Sequence, residues 1–230
     1  RAEPGVAGPR GVLRPAVISL VLVVTVALLG MVTVKLGNTT FATVAHWTLA
    51  MALLAVLIAA TVRAGGLGGA SARAEGGSAR TVRSIAAGAA VAFLVVALGG
   101  LVAKFPGGAV ACPSFPLCGE TPAGVPAGAS HIQLTHRILA YLLFFHALAI
   151  AMAVGRRAGE SAAVKTAARV AAGLVVLQLA FGAAMVLSML PQGLRVAHQA
   201  AGVAVWLVMF LAAYLARTAQ GNPRPTELAP

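Results

Sequence analysis

Charge is the scarcest property of this sequence. Only 10% of its 230 residues are charged, against about 25% in a soluble domain, and the mean hydropathy is +0.93. That excludes an ordinary water-facing globular surface. Acid is scarcer than base: five Asp plus Glu stand against 17 Lys plus Arg, for a net charge of +12. Cysteine is scarcer still, with only Cys112 and Cys118, which leaves little material for a thiolate zinc site.

Long apolar runs are abundant instead. The stretches 17–34, 41–62, 84–103, 138–155, 170–194 and 196–216 contain no Asp, Glu, Lys or Arg. Each has about the ~18–25 residues that an α-helix needs to cross a bilayer. The expected fold is therefore an all-α polytopic membrane protein with six transmembrane segments, A to F. The runs are too long, and recur too often, for a signal peptide.

The excess of base first suggests nucleic acid, but its distribution argues otherwise. Arg1, Arg10 and Arg14 precede A; Arg63, Arg73, Arg80 and Arg83 lie between B and C. Arg156, Arg157, Lys165 and Arg169 lie between D and E, and Arg217 and Arg224 follow F. The alternate loops hold only Lys35, Lys104, Arg137 and Arg195. This is the positive-inside pattern of a multi-pass membrane protein with both termini cytoplasmic, not a nucleic-acid patch; the cell (plasma) membrane is the expected location.

That topology places ACPSFPLCGE (111–120) outside the cytoplasm, where a disulfide can persist. Cys112 and Cys118 enclose five residues, and Pro113 and Pro116 bend the chain between them. Zinc is the rival reading, weakened by the lack of CxxC spacing. Residues 64–80 read as a Gly/Ala/Ser/Arg linker without apolar periodicity. Ser130 and Gln133 read as a capping box opening segment D.

An internal repeat is the most informative pattern. Gly30 precedes His46 by 16 residues, Gly182 precedes His198 by 16, and both histidines follow Val-Ala. The offset between the copies is 152 residues. The counterpart of His136 then falls at position −16, so the expectation is that two further helices precede Arg1, giving eight in two halves.

Intramembrane histidines are functional candidates. His46, His136 and His198 sit at similar depth near the extracytoplasmic helix ends. In an up-down bundle, D and F are diagonal and run the same way, so His136 and His198 can face each other. Two facing imidazoles suit the axial positions of a haem iron. Gly99, Gly100, Gly182 and Ala183 leave room for a flat macrocycle or for close helix packing. Arg137 and Arg195 suit its carboxylates. Lys35 and Lys104 read as snorkelling residues. His131 reads as interfacial, His146 as packing, Gln178 as structural, and Trp206 and the methionines as lipid or core contacts.

GGLV (99–102), CPSFPLC (112–118), HIQLTHRILAY (131–141) and VAHQAAG (196–202) together resemble the haem A synthase family, over roughly residues 20–216. The resemblance implies eight helices in two pseudo-symmetric four-helix bundles, with this chain matching helices three to eight. Residues 1–80 would be the remaining helix pair of the N-terminal half plus a cytoplasmic linker. Residues 81–217 would be a C-terminal haem-binding bundle, and 218–230 a cytoplasmic tail. His136 and His198 would ligate the iron of haem b, with Arg137 and Arg195 beside it. His46 would help bind haem O, the substrate. The family is an oxidoreductase that oxidises the C8 methyl of haem O to a formyl group, making haem A for cytochrome c oxidase.

The family's catalytic Glu lies on a helix upstream of Arg1, so no catalytic residue is assigned in this chain, and the isolated chain is expected to be inactive. Implied partners are haem O synthase (a farnesyltransferase) as haem donor, cytochrome oxidase assembly factors and membrane lipid, with self-association left open. Ser114-Phe115 stands where many members have Asp-Trp, and FPGGAVA (105–111) where many have a TGSG-like run. The cysteine loop reads as a disulfide-closed lid over the haem mouth, either a staple or a redox element. Two other readings compete. A b-type electron-transfer cytochrome usually needs histidines at both depths, and a bundle without cofactor has no haem band to lose.

Overall fold

The computed structural model describes residues 5–220. Seven α-helices follow in order: α1 (Leu13–Lys35), α2 (Thr40–Arg63), α3 (Gly69–Glu75), α4 (Ala79–Lys104), α5 (Ala127–Arg156), α6 (Ala162–Leu187) and α7 (Gln192–Gln220), with a 3-10 turn at Gly108–Val110. All but α3 are long and apolar enough to span a membrane. With no water to satisfy backbone groups in a bilayer, helices that close their own hydrogen bonds are the expected outcome. The chain is a multi-pass membrane protein.

α4, α5, α6 and α7 form a closed ring in which α4 also packs on α7, leaving α5 and α7 diagonal, as expected. α2 lies against α4 and α7, and α1 packs on α2 alone. α1 accordingly buries only Pro15 and Thr33 and turns its apolar residues outward. Two clusters fill the ring. One, at the arginine-rich end, joins Val62, Ile85, Val154, Val164, Ala212 and Leu215. The other, midway, joins Met51, Ala92, Leu143, Val175, Trp206 and Met209. Alanines alternate with these residues and let the helix axes approach, the usual basis of membrane helix packing. Trp206 packs on Phe93, with ring centroids 5.0 Å apart, and donates to the Met51 carbonyl at 3.3 Å, tying α7 to α2. The opposite end of the ring is hollow.

Several expectations change. The stretch 64–80 is more than a linker, because α3 forms within it and buries Ala72 completely. Glu75 of α3 accepts from the Ala162 amide at 2.6 Å, satisfying one of the orphan donors that open α6. Hydrogen bonds from Ser71 and Ala162 hold the Glu75 carboxyl below its ordinary pKa of 4.5. Ser78 caps α4 by accepting from Thr81 N. Its hydroxyl and that of Thr81 both donate to the buried Glu160 carboxylate, at 2.5 and 2.6 Å.

Segment E ends at Leu187, not at 194. The charge-free run conceals a turn at 188–191 in which Met189 and Leu190 both adopt φ of +61°. An apolar turn gives no polar signal in sequence, and non-glycine residues there carry strain. α5 starts at Ala127, ahead of the expected capping box. Ser130 Oγ donates instead to Ala127 O at 3.1 Å. α7 runs to Gln220, past the expected tail boundary at 218; residues 221–230, with Arg224, lie outside the described residues, as do residues 1–4 with Arg1.

Candidate functional site

The hollow end of the ring is a cavity of about 240 Å³ whose lining includes His136, His198, Gly99, Gly100, Gly182 and Gln178. α5 and α7 supply the two histidines from opposite corners. The helix behind each histidine carries a glycine. A β-carbon added at Gly99 meets His136 Cε1 at 3.1 Å, and one added at Gly182 meets His198 Cε1 at 3.2 Å. His46 repeats the arrangement on α1 and α2, where a β-carbon at Gly30 meets its Cε1 at 3.0 Å. The two Gly-to-His spacings of 16 seen in the sequence are thus two direct packing contacts.

Hydrogen bonds settle the tautomers. His136 Nδ1 donates to the Val95 carbonyl at 3.0 Å. That carbonyl lies one turn below Gly99, and the missing side chain opens the approach. Nε2 of His136 is left without a proton, as a metal ligand requires. His198 Nε2 accepts from the Gln178 amide at 3.2 Å, so it too holds a lone pair. Gln178, expected to be structural, is therefore a direct neighbour of the second histidine.

Several buried polar atoms around this cavity have no hydrogen-bond partner: His198 Nδ1, Gln178 Oε1, Trp47 Nε1 and Thr43 Oγ1. Buried polar groups are rarely left unsatisfied. Together with the glycine cradles and two proton-free imidazole nitrogens, they fit a flat ligand that carries a metal. Sequence reasoning missed Trp47, which lies beside Gly100 and brings α2 into the wall of the α4–α7 cavity. His46 is not among the lining residues and stands at a separate place against α1.

Cys112 and Cys118 form a disulfide with Cα atoms 4.3 Å apart, which uses both thiols and removes the zinc alternative. Three side chains of α5 hold this loop. Gln133 Oε1 accepts from Cys112 N at 3.1 Å. Arg137 donates to the carbonyls of Cys112, Leu117 and Ser114 at 2.7, 2.8 and 2.5 Å. Tyr141 OH donates to Pro116 O at 2.6 Å. Their spacing of four residues puts all three on one helical face, and His136 points beside them into the cavity. Gln133 is thus a loop anchor and not a helix cap. Arg137 is buried and its terminal nitrogens are engaged by the loop, a different placement from the expected carboxylate contact. Phe115 carries the loop into the cavity wall.

Of the remaining outer basic residues, Arg195 is exposed and lines the mouth with Lys104, whereas Lys35 does not. His131 is exposed and bonds Ala127 O at 3.0 Å. His146 packs on Gly88 and bonds Ser84 O through Nε2 at 3.0 Å, in line with its packing assignment. It shows that a glycine contact alone does not mark a ligand.

A family model described as cytochrome oxidase assembly protein, COX15-CtaA, matches residues 6–210. The chain belongs to the haem A synthase family. The match spans both the α1–α2 pair and the four-helix ring, so the resemblance carried by the GGLV, CPSFPLC and HIQLTHR motifs holds along nearly the whole chain. The family's role is in cytochrome oxidase assembly and haem A biosynthesis, and it is an oxidoreductase family. No curated protein matches the chain.

Proposed function

We propose that this chain acts as a haem A synthase, oxidising the C8 methyl of haem O to the formyl group of haem A, with His136 and His198 holding a b-type haem in the ring. The observation that carries this reading is the pair of proton-free Nε2 atoms on diagonal helices around one cavity. A haem held by two imidazoles supplies one-electron transfer when bound. The chain's own residues do the rest. The Val95 carbonyl fixes the His136 tautomer, and Gly99 and Gly182 let both rings sit against neighbouring helices. Gln133, Arg137 and Tyr141 hold the disulfide loop beside the cavity, and its Phe115 limits water access. Arg195 and Lys104 put positive charge at the mouth, where carboxylates of a haem would be neutralised.

His46 is our candidate contact for haem O, because it repeats the glycine-backed packing and its buried Nδ1 lacks a partner. The charge bias of the loops supports cytoplasmic termini; the plasma membrane is the proposed location, and haem O synthase and oxidase assembly factors are the proposed partners. Among the described residues no carboxylate lies within a span, so within these residues the spans hold haem without supplying a carboxylate base. The test is co-expression of a full-length version, including the helices expected ahead of Arg1, with a haem O source in cells lacking their own haem A synthase, followed by haem extraction. Appearance of haem A supports the proposal. Bound haem b without haem A would favour an electron-transfer cytochrome.

A further inference from the structure

The arginine-rich end of the molecule holds a second recess, far from the histidines in the fold. It has a volume of about 150 Å³ and is lined by Arg10, Arg63, Arg73, Arg217, Tyr214 and Thr218. These residues come from four places in the chain: the segment before α1, the end of α2, α3 and the end of α7. Snorkelling arginines ordinarily spread outward to separate lipids. Here they converge, although like charges repel at short range.

The convergence is built in. Arg63 donates through Nε to Tyr214 OH at 2.6 Å and through Nη1 to the Gly11 carbonyl at 3.0 Å. Arg73 donates to the Val62 and Arg63 carbonyls at 3.2 and 3.4 Å. Those bonds cap the end of α2 and fix both guanidiniums. Arg217 is exposed and makes no hydrogen bond or ion pair among the described residues. Among the described residues no carboxylate lines the recess; Arg10 has a partner of its own, so the charge offered to a ligand is that of Arg63, Arg73 and Arg217. Among the described residues, Glu75 is held by Ser71 and Ala162 and Glu160 by Ser78 and Thr81.

We propose that this recess binds a phosphate-bearing anion, either the headgroup of a membrane phospholipid or a soluble phosphate. Planar guanidiniums and the Tyr214 hydroxyl, which accepts from Arg63 and keeps its own proton to donate, match the several acceptor oxygens of a phosphate. The volume suits one such group and excludes a second macromolecule. The inference is independent of haem binding.

The full chain in neutral detergent would be titrated with phosphatidylglycerol, phosphatidylcholine and inorganic phosphate, with binding followed by thermal stabilisation. Saturable binding of phosphatidylglycerol alone identifies the lipid source. Saturable binding of inorganic phosphate identifies the soluble source. In either case Arg217→Gln should weaken binding about tenfold, the loss of one charge-assisted contact. Its unfolding temperature without anion should be unchanged, because Arg217 makes no hydrogen bond or ion pair among the described residues. Arg83→Gln, an exposed arginine at the same end but outside the recess, should leave binding as it was. No saturable binding of either anion overturns the proposal. So does an equal effect of Arg83→Gln and Arg217→Gln, which would mean diffuse attraction to the whole arginine-rich face.

Discussion

Replacing Arg137 by Met should unlock the disulfide loop without emptying the histidine pair. Met keeps most of the aliphatic stem and removes the guanidinium. Three carbonyls then lose a charged donor: Cys112 O, which was 2.7 Å away, Leu117 O at 2.8 Å and Ser114 O at 2.5 Å. A hydrogen bond to a charged group is worth about 1.5–3 kcal/mol net. Water can reach the exposed Leu117 and part-exposed Ser114, while Cys112 is 1% exposed. Counting one full bond and part of the other two, opening becomes easier by about 3–4 kcal/mol. That is roughly a 10²–10³-fold rise in the open population. A reductant must reach sulfur through such openings, so its rate follows that population. The assay is the time course of Cys112–Cys118 reduction by a small dithiol in folded protein, with released thiols trapped by a mass-adding maleimide. Gln133→Ala and Tyr141→Phe remove one bond each and should accelerate reduction only about tenfold. A rate for Arg137→Met within threefold of the parent would refute the assignment of Arg137 to the loop.

Other consequences follow from the same geometry. Gly99→Ala and Gly182→Ala push a methyl group to within 3.1 and 3.2 Å of the histidine rings; each should weaken haem b binding at least about tenfold by titration, while Gly173→Ala, whose β-carbon meets nothing within 4 Å, should not. Gln178→Leu frees the His198 Nε2 lone pair and should tighten haem b binding by about two- to tenfold; weaker binding would show that the amide positions the ring. His46→Ala should leave the haem b spectrum unchanged, because His46 does not line the cavity. The lowered pKa of Glu75 means that its link to α6 stabilises fully above the ordinary value of 4.5 and is lost as pH falls through the lower folded value. The protection factor of the Ala162 amide, its exchange rate divided into the intrinsic rate at the same pH, should therefore fall only in that acid window and stay flat above it, a pattern that Glu75→Gln would abolish.

The six spans were legible because a bilayer demands length and apolarity and little else. The Gly-to-His spacing was legible for a related reason. Two antiparallel helices joined by a short turn have a fixed register, so a residue 16 positions on returns to the same depth. What escaped was the polar work done inside apolar helices. Gln133, Arg137 and Tyr141 share a face at four-residue spacing, yet sequence read them separately as a cap, a carboxylate partner and nothing. The row of polar side chains in an otherwise apolar helix was the available signal. The 188–191 turn was hidden because Ser-Met-Leu-Pro contains no charge to interrupt segment E. α3 was hidden because a seven-residue helix reading GASARAE has no apolar period, and its order comes from docking Ala72 and Glu75. Trp47 could be placed in the cavity wall only once α2 was known to pack on α4 and α7.

The central claim is that His136 and His198 together hold one haem. Its most direct test is the absorption and low-temperature EPR spectrum of the purified chain reconstituted with haem b, beside His136→Ala and His198→Ala. The account predicts one haem per chain with the low-spin signature of two imidazoles, converted to high spin or lost by either substitution. A spectrum that survives both substitutions, or no stoichiometric haem in the parent chain, would contradict it.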